Sequence, residues 1–134
     1  MADKTGLMID SAEVRLVRLP LIRPFTISTG TMHAKEFVLL TLRSGKLEGY
    51  GEGVMDPLPD YLEETNASGL MLLEQAILPQ LLGKRFSNPA AVEQTMTHWR
   101  GHRMTKAMVE MAFQDLWAKS LGLPLKTVLG GVRD

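Results

Sequence analysis

The apolar positions of the first 55 residues follow the spacing of β-strands. Residues 9–19 mix apolar and charged side chains in the pattern of a half-buried edge strand. Residues 37–42 form a short, almost continuous apolar run, which is typical of a central strand covered on both faces. The Ser-Gly-Lys sequence at residues 44–46 predicts a tight turn into a third strand over residues 47–55. The pattern therefore predicts a three-stranded antiparallel sheet.

The segment between the first two predicted strands, residues 21–32, is expected to be a loop. It follows Pro20 and contains Pro24, Phe25 and Gly30. Proline fixes the φ angle and removes a backbone donor, so two prolines are expected to interrupt any strand ladder here.

Apolar residues in the rest of the chain recur at helical spacing. Residues 62–82 place leucines and an isoleucine on one face, and Pro79 is expected either to kink this helix or to open a second short one. Residues 88–100 begin with an Asn-Pro pair, which is typical of a helix N-cap. The longest helical pattern covers residues 104–121. A sheet followed by a helical bundle is an α+β fold.

The predicted helix over residues 104–121 is apolar around much of its circumference. A helix of this kind is normally covered on more than one side. Two interpretations stay open, namely a helix deeply buried within this domain and a helix covered by a partner surface that the chain does not contain. The second interpretation predicts self-association of the isolated chain.

Composition narrows the classes of function. A length of 134 residues is typical of one domain, and 45% hydrophobic with 22% charged residues indicates a globular chain. Fifteen basic and fifteen acidic residues give no net charge, which argues against a nucleic-acid partner. The sequence has no cysteine, and no apolar run approaches the roughly 18 residues of a membrane span. With its polar start, the chain is expected to be cytoplasmic and not membrane-bound.

Residues 49–53, Gly-Tyr-Gly-Glu-Gly, match neither the dinucleotide fingerprint nor the P-loop. Glycines in a strand instead favour close approach of another backbone. Glu52 becomes a candidate ligand or base only if a second carboxylate or a histidine lies near it.

Other polar residues give weak signals. His98 and His102 have the spacing of metal ligands on one helix face, but Gly101 lies between them, so packing or surface roles are favoured. Glu63 and Glu64 are interpreted as acids in the first turn of a helix, where the helix dipole favours them. The residues alone indicate no catalytic group and no metal site.

Several motifs nevertheless occur together in one order. The chain from about residue 9 to residue 134 resembles the N-terminal capping domain of the enolase superfamily, in its muconate-cycloisomerase-like branch. Within that branch it is most similar to the o-succinylbenzoate synthase and N-acylamino acid racemase group. The segments that carry the resemblance are residues 19–21 with 24–25, 48–53 (Glu-Gly-Tyr-Gly-Glu-Gly), 61–65 (Tyr-Leu-Glu-Glu-Thr), 101–104 (Gly-His-Arg-Met), 109–119 and 129–133 (Leu-Gly-Gly-Val-Arg).

The resemblance implies a capping domain over residues 1–122 and a linker over residues 123–134, leading to a (β/α)-barrel that is absent from this chain. In such enzymes the barrel holds two catalytic lysines and three acids that bind magnesium, and it removes the proton next to a substrate carboxylate. No catalytic residue and no metal ligand is therefore expected in the chain itself, which is predicted to be inactive alone. A small carboxylate substrate, the barrel domain and further copies in a homo-oligomer are the expected partners.

The resemblance also implies that residues 21–32 and 54–61 shape the substrate pocket. Phe25 and Tyr61 are aromatic residues beside prolines, and rings on stiffened loops suit an acyl or aryl group. An alternative role for Phe25 is to fix its loop to the sheet. Further candidates for substrate binding are Ile27, Thr29, Met55 and Asp56, of which Ile27, Thr29 and Met55 could equally face the core of the domain.

Other functions stay open at this point. A dipeptide epimerase and a muconate-type cycloisomerase share the same capping fold. A stand-alone binding module that has lost its barrel is the alternative outside the enzyme class.

Overall fold

Three antiparallel strands form the main sheet of the computed structural model, with residues 30–44 paired between residues 11–27 and 47–53, and a second pair of short strands lies apart from it. The structure describes residues 6–133, so residues 1–5 of the predicted cap and Asp134 of the predicted linker lie outside the described residues. The predicted α+β fold is confirmed. The elements are β1 (Leu7–Met8), β2 (Ser11–Ile27), β3 (Gly30–Ser44), β4 (Leu47–Gly53), α1 (Asn66–Leu72), a π-helical segment (Leu73–Ile77), α2 (Leu78–Leu81), β5 (Arg85–Phe86), α3 (Pro89–Met96), α4 (Arg103–Leu121) and α5 (Leu125–Val128).

The prediction of a loop over residues 21–32 is wrong, because β2 and β3 continue through this segment as one long hairpin. Phe25 pairs with Met32, and Ile27 pairs with Gly30 next to the turn. The register shifts only between Pro20 and Phe25. The two prolines are tolerated because β2 is an edge strand, where a missing backbone donor does not break an interior ladder.

The helix predicted over residues 62–82 begins later and contains a π-helical turn. Thr65 is the N-cap of α1: its hydroxyl accepts a hydrogen bond from the Ser68 amide at 3.2 Å, and the Ser68 hydroxyl accepts one from the Thr65 amide at 3.0 Å. Pro79 follows the π-helical segment and lies in the first turn of α2, where its lack of an amide proton costs little. The expected short second helix is therefore present.

The central contact of the fold joins β4 to α4. Gly49 and Gly51 face the helix, and a Cβ atom added at either would lie under 3.0 Å from the carbonyl oxygen of Ala112 or of Met108. The interpretation of these glycines as sites of close backbone approach is confirmed. Helix α4 therefore lies directly on the sheet, which brings Val38, Leu40 and Leu42 of β3 into a fully buried core with it.

The main apolar face of helix α4 is buried within the domain. The sheet covers one side, and α1 and α3 contact other parts of it. Seven of its residues are buried, whereas Met111 is 45% exposed on the remaining flank. Of the two interpretations of this helix, burial within the domain accounts for most of its apolar surface. Helix α5 lies inside the predicted linker and contacts α4.

Side chains of α4 cover the free edge of β4. The Tyr50 amide donates to Asp115 Oδ2 at 3.0 Å, and Lys119 Nζ donates to the Glu48 carbonyl at 2.7 Å. Lys119 and Asp115 also form an ion pair at 2.8 Å. Because an edge strand offers unpaired backbone groups to other chains, these contacts leave β4 less open to intermolecular pairing.

We expect Gly51→Ala to destabilise the domain, because the new methyl group would meet the backbone of α4, which cannot move aside alone. The loss in free energy of unfolding should be about 1–3 kcal/mol, as for overpacked cores. Gly53→Ala is the matched control, since its Cβ would meet only the flexible Met55 and Met108 side chains, at 3.0 Å or slightly more. Urea denaturation measures both, and equal losses for the two variants would contradict the role given to Gly51.

A second prediction concerns Glu48, whose carboxylate accepts from Tyr50 Oη at 2.5 Å and from Arg43 Nε at 2.7 Å. The hydrogen bond from Tyr50, followed by that from Arg43, lowers the pKa of Glu48 from its ordinary 4.5. The stabilisation from this group is therefore present above pH 4.5 and is lost as the pH falls through the lowered pKa.

Tyr50→Phe should raise the pKa of Glu48 toward 4.5, because it removes the largest cause of the shift. Carboxyl NMR titration measures this pKa directly. Tyr61→Phe is the control, since Tyr61 lies in another part of the chain and should leave the Glu48 titration unchanged. A Glu48 pKa that is the same in wild type and Tyr50→Phe would argue against the hydrogen bond as its cause.

Candidate functional site

An open cleft of about 880 Å³ lies between the β2–β3 hairpin and the loop that follows β4. Its volume is within the range of roughly 300–1,000 Å³ typical of small-molecule sites. Five of the six predicted substrate-binding residues line it, and they come from two segments far apart in the sequence: Phe25, Ile27, Thr29, Asp56 and Tyr61. The structure thus brings together the two segments expected to shape a pocket.

The aromatic candidates lie on opposite walls of this cleft. Phe25, on the hairpin, is 58% exposed, and Tyr61, on the loop, is 79% exposed. An aromatic ring that fixed the hairpin to the sheet would be buried, so the exposure of Phe25 favours a role in the cleft. Both rings offer apolar surface that this domain does not itself cover.

Met55 is not brought to the cleft. Its side chain is fully buried and lies beside Gly53 and Gly69, where its sulfur and methyl atoms fill the space between β4 and α1. Of the two roles considered for it, the structure places Met55 in the core of the domain.

Asp56 is held by both its side chain and its backbone. Its Oδ1 atom accepts from Lys35 Nζ at 2.8 Å, and its carbonyl accepts from the Asn66 amide at 2.9 Å. A parallel β-bridge also joins Asp56 to Thr65. The loop from residue 57 to residue 64 is therefore closed at its base.

Lys35 also lines the cleft, although no pattern in the sequence indicates it. It lies on β3, opposite Leu19, and its ammonium group also approaches the Val54 carbonyl at 3.5 Å. Its partner is 21 positions away in the sequence. No local pattern signals such a pair, and only the folding of the hairpin onto the loop reveals it.

Glu64 fixes the other end of the loop, in a role that the sequence analysis did not predict. Its carboxylate accepts from the Met104 amide at 3.0 Å, from the Thr105 amide at 2.9 Å and from the Thr105 hydroxyl at 2.6 Å. These are the second and third amides of α4, whose own N-cap residue, His102, makes no side-chain cap. The interpretation of Glu63 and Glu64 as first-turn acids of a helix from residue 62 is wrong, since Glu64 caps α4 instead.

The two histidines with ligand spacing do not share a helix face. His98 follows α3 and its ring lies 4.3 Å from that of Trp99, while His102 precedes α4 in a left-handed conformation. Across residues 6–133, no three His, Cys, Asp or Glu side chains cluster in a way that could hold a metal ion.

In that same part of the chain, no helix has the length and apolar character needed to cross a membrane.

Glu64→Ala should lower the free energy of unfolding by about 2–4 kcal/mol, because it leaves two amides of α4 and the Thr105 hydroxyl without their acceptor in a buried position. Glu63→Ala is the matched control, because Glu63 is the exposed neighbour and its loss should change stability by less than about 0.5 kcal/mol. Thermal and urea denaturation measure both. Equal stability of the two variants would argue against a capping role for Glu64.

The comparisons with known proteins agree with this geometry. The family model described as mandelate racemase / muconate lactonizing enzyme, N-terminal domain, matches residues 11–130. N-succinylamino acid racemase of Thermus thermophilus is 50% identical over 125 residues, which cover 93% of this chain and 34% of that protein. An o-succinylbenzoate synthase of Geobacillus kaustophilus is 36% identical over 126 residues, with 93% of this chain and 34% of that protein covered.

Solved structures show the same fold. The L-Ala-D/L-Glu epimerase from Bacillus subtilis matches with a TM-score of 0.84 and 30% identity, over 96% of this chain and 36% of the other. Muconate lactonizing enzyme from Pseudomonas fluorescens matches with a TM-score of 0.88 and 34% identity, again over 96% and 36%. The chain spans about a third of the length of the curated relatives it matches.

Proposed function

This chain belongs to the family of mandelate racemase / muconate lactonizing enzyme N-terminal domains, within the enolase superfamily, and on that premise we propose that it is the substrate-capping domain of an o-succinylbenzoate synthase or N-acylamino acid racemase. The observation that carries the proposal is the cleft, in which Phe25 and Tyr61 present exposed rings from opposite walls. The 50% identity to a protein named N-succinylamino acid racemase supports the choice within the family.

In this proposal the cap and the barrel have separate tasks. The barrel removes the proton next to the substrate carboxylate, with its own bases and a magnesium ion. The cap closes over the barrel and contacts the distal part of the substrate, such as an acyl or aryl group. Phe25 and Tyr61 supply apolar surface, Ile27 and Thr29 border it from the hairpin, and Asp56 belongs to the opposite wall.

Several parts of the proposal rest on the resemblance and on position in the chain. These are the boundary of the cap at residue 122, the linker after it, a homo-oligomeric assembly and a cytoplasmic location. Dipeptide epimerase and muconate-type cycloisomerase are the alternative activities, since proteins of both kinds share this fold. A stand-alone binding module is the alternative outside the enzyme class.

A fused enzyme tests the proposal. Residues 1–131 of this chain replace the matching third of Thermus thermophilus N-succinylamino acid racemase, and turnover of an N-succinylamino acid is measured with magnesium. We expect turnover by the fused enzyme and none by the 134-residue chain alone, because the described residues offer no metal cluster. A folded fused enzyme that prefers a dipeptide or a muconate would favour the corresponding alternative, and one without turnover on any of these would contradict a capping role.

Phe25→Ala and Tyr61→Ala in the fused enzyme should each lower kcat/KM about 10- to 200-fold, the effect of roughly 1–3 kcal/mol of lost apolar contact in the transition state. The loss should be larger for a substrate with a bulky acyl group than for one with an acetyl group. Leu16→Ala is the matched control, since Leu16 lies on the same strand as Phe25 and is 54% exposed but does not line the cleft. Equal losses on all substrates, together with a lower melting temperature, would make the two aromatic residues structural.

A further inference from the structure

The two walls of the cleft are built by separate parts of the domain. The hairpin wall is held by its own ladder, including the pair Phe25–Met32 and a hydrogen bond between the Thr26 and Thr31 hydroxyls at 3.0 Å. The loop wall is held at its base by the Asp56–Thr65 bridge and at its end by Glu64. Neither set of contacts by itself fixes the distance between the two walls.

Lys35 joins one wall to the other. Within residues 6–133, Lys35 supplies every hydrogen bond and ion pair that connects residues 21–36 with residues 54–64, through Asp56 at 2.8 Å and the Val54 carbonyl at 3.5 Å. Both Lys35 and Asp56 line the cleft. Lys35 also lies next to the point where the β2–β3 ladder becomes irregular. It therefore holds the base of the hairpin segment over residues 21–32.

The pair is poorly suited to a role in overall stability. The side chains of Lys35 and Asp56 are 28% and 33% exposed, and pairs with this much access to solvent contribute little to the free energy of unfolding. It differs from the other ion pairs of the described residues in joining the hairpin to the loop, two segments that are each held by contacts of their own. A contact of this kind restricts relative movement of the walls more than it stabilises the fold.

We propose that the Lys35–Asp56 ion pair is a positioning element that sets the selectivity of the cleft, by holding the Phe25 hairpin and the Tyr61 loop at a fixed separation. The proposal deepens the capping role proposed above and rests on it. Lys35 and Asp56 act through the two aromatic rings, so they are positioning residues. Asp56 then contributes to binding by placing its loop, with its charge already neutralised by Lys35.

The first experiment uses the 134-residue chain and needs no substrate. Amide hydrogen exchange is compared between wild type, Lys35→Met, Asp56→Asn and the conservative variant Lys35→Arg. We expect exchange of the Asn66 amide, which donates to Asp56, to increase about 10-fold in the first two variants. Lys35→Arg should restore slow exchange, and the melting temperature should change little in any variant.

The second experiment measures selectivity in the fused enzyme. The ratio of kcat/KM between an N-succinyl and an N-acetyl derivative of one amino acid should change about 10-fold in Lys35→Met and by a similar factor in Asp56→Asn, because misplacing a contact surface by about 1 Å has effects of this size or larger. The double variant should show no further change, since the two residues act as one unit. Lys119→Met is the matched control, as Lys119 forms an ion pair with Asp115 at the same 2.8 Å, away from the cleft.

The outcomes separate the two proposals. Wild-type fused enzyme that is folded but turns over no substrate contradicts the capping role, whatever the exchange data show. Active wild type with an unchanged substrate ratio in Lys35→Met overturns the positioning role alone. A change in Lys35→Met without one in Asp56→Asn also overturns it, because Lys35 would then contact the substrate directly. Parallel changes in both variants, rescued by Lys35→Arg, support the proposal.

Discussion

The rest of the structure depends on the contact between the backbone of β4 and the backbone of α4. With no side chain at Gly49 or Gly51, the helix comes close enough to the sheet for its carbonyl groups to meet the strand. Because of this close approach, one 19-residue helix contacts the sheet, its free edge and the cleft loop. Its buried face completes the core with β3, its polar side chains cover the free edge of β4, and its first turn receives Glu64 from the cleft loop. If α4 lay further from β4, it could not pack on β3, cover the edge of β4 and reach Glu64 as it does here.

The parts of this fold that depend on local pattern could be predicted from the sequence. Neighbouring residues predict the apolar run of β3, the turn before β4 and the long helix α4. They also predict that the glycines of β4 allow another backbone to come close. Five residues of the cleft could also be named, although their assignment came from a resemblance and not from chemistry visible in the chain. Phe25 and Tyr61 were identifiable because aromatic residues beside prolines are poorly explained by packing within a strand.

The parts that could not be predicted depend on contacts between distant segments. The hairpin through Pro20 and Pro24 requires knowing that β2 lies at the edge of the sheet, which no local pattern states. The sequence identified Glu64 as an acid near a helix N-terminus. The helix that it caps begins 39 positions later, at Arg103, and is not the helix that follows Glu64 directly in the sequence. The pairing of Lys35 with Asp56 is equally invisible before the chain has folded.

The irregular stretch between Pro20 and Phe25 has a consequence for how such a cap can change during evolution. A long hairpin with exposed apolar residues at its tip is normally a risk, because its outer edge can pair with the edge of another molecule and begin an aggregate. Two prolines on that edge remove backbone donors where intermolecular pairing would start. Side chains at the tip can therefore vary next to an edge that offers fewer backbone donors to another molecule. Changes of side chain at the tip are in this way separated from the risk of edge-to-edge assembly.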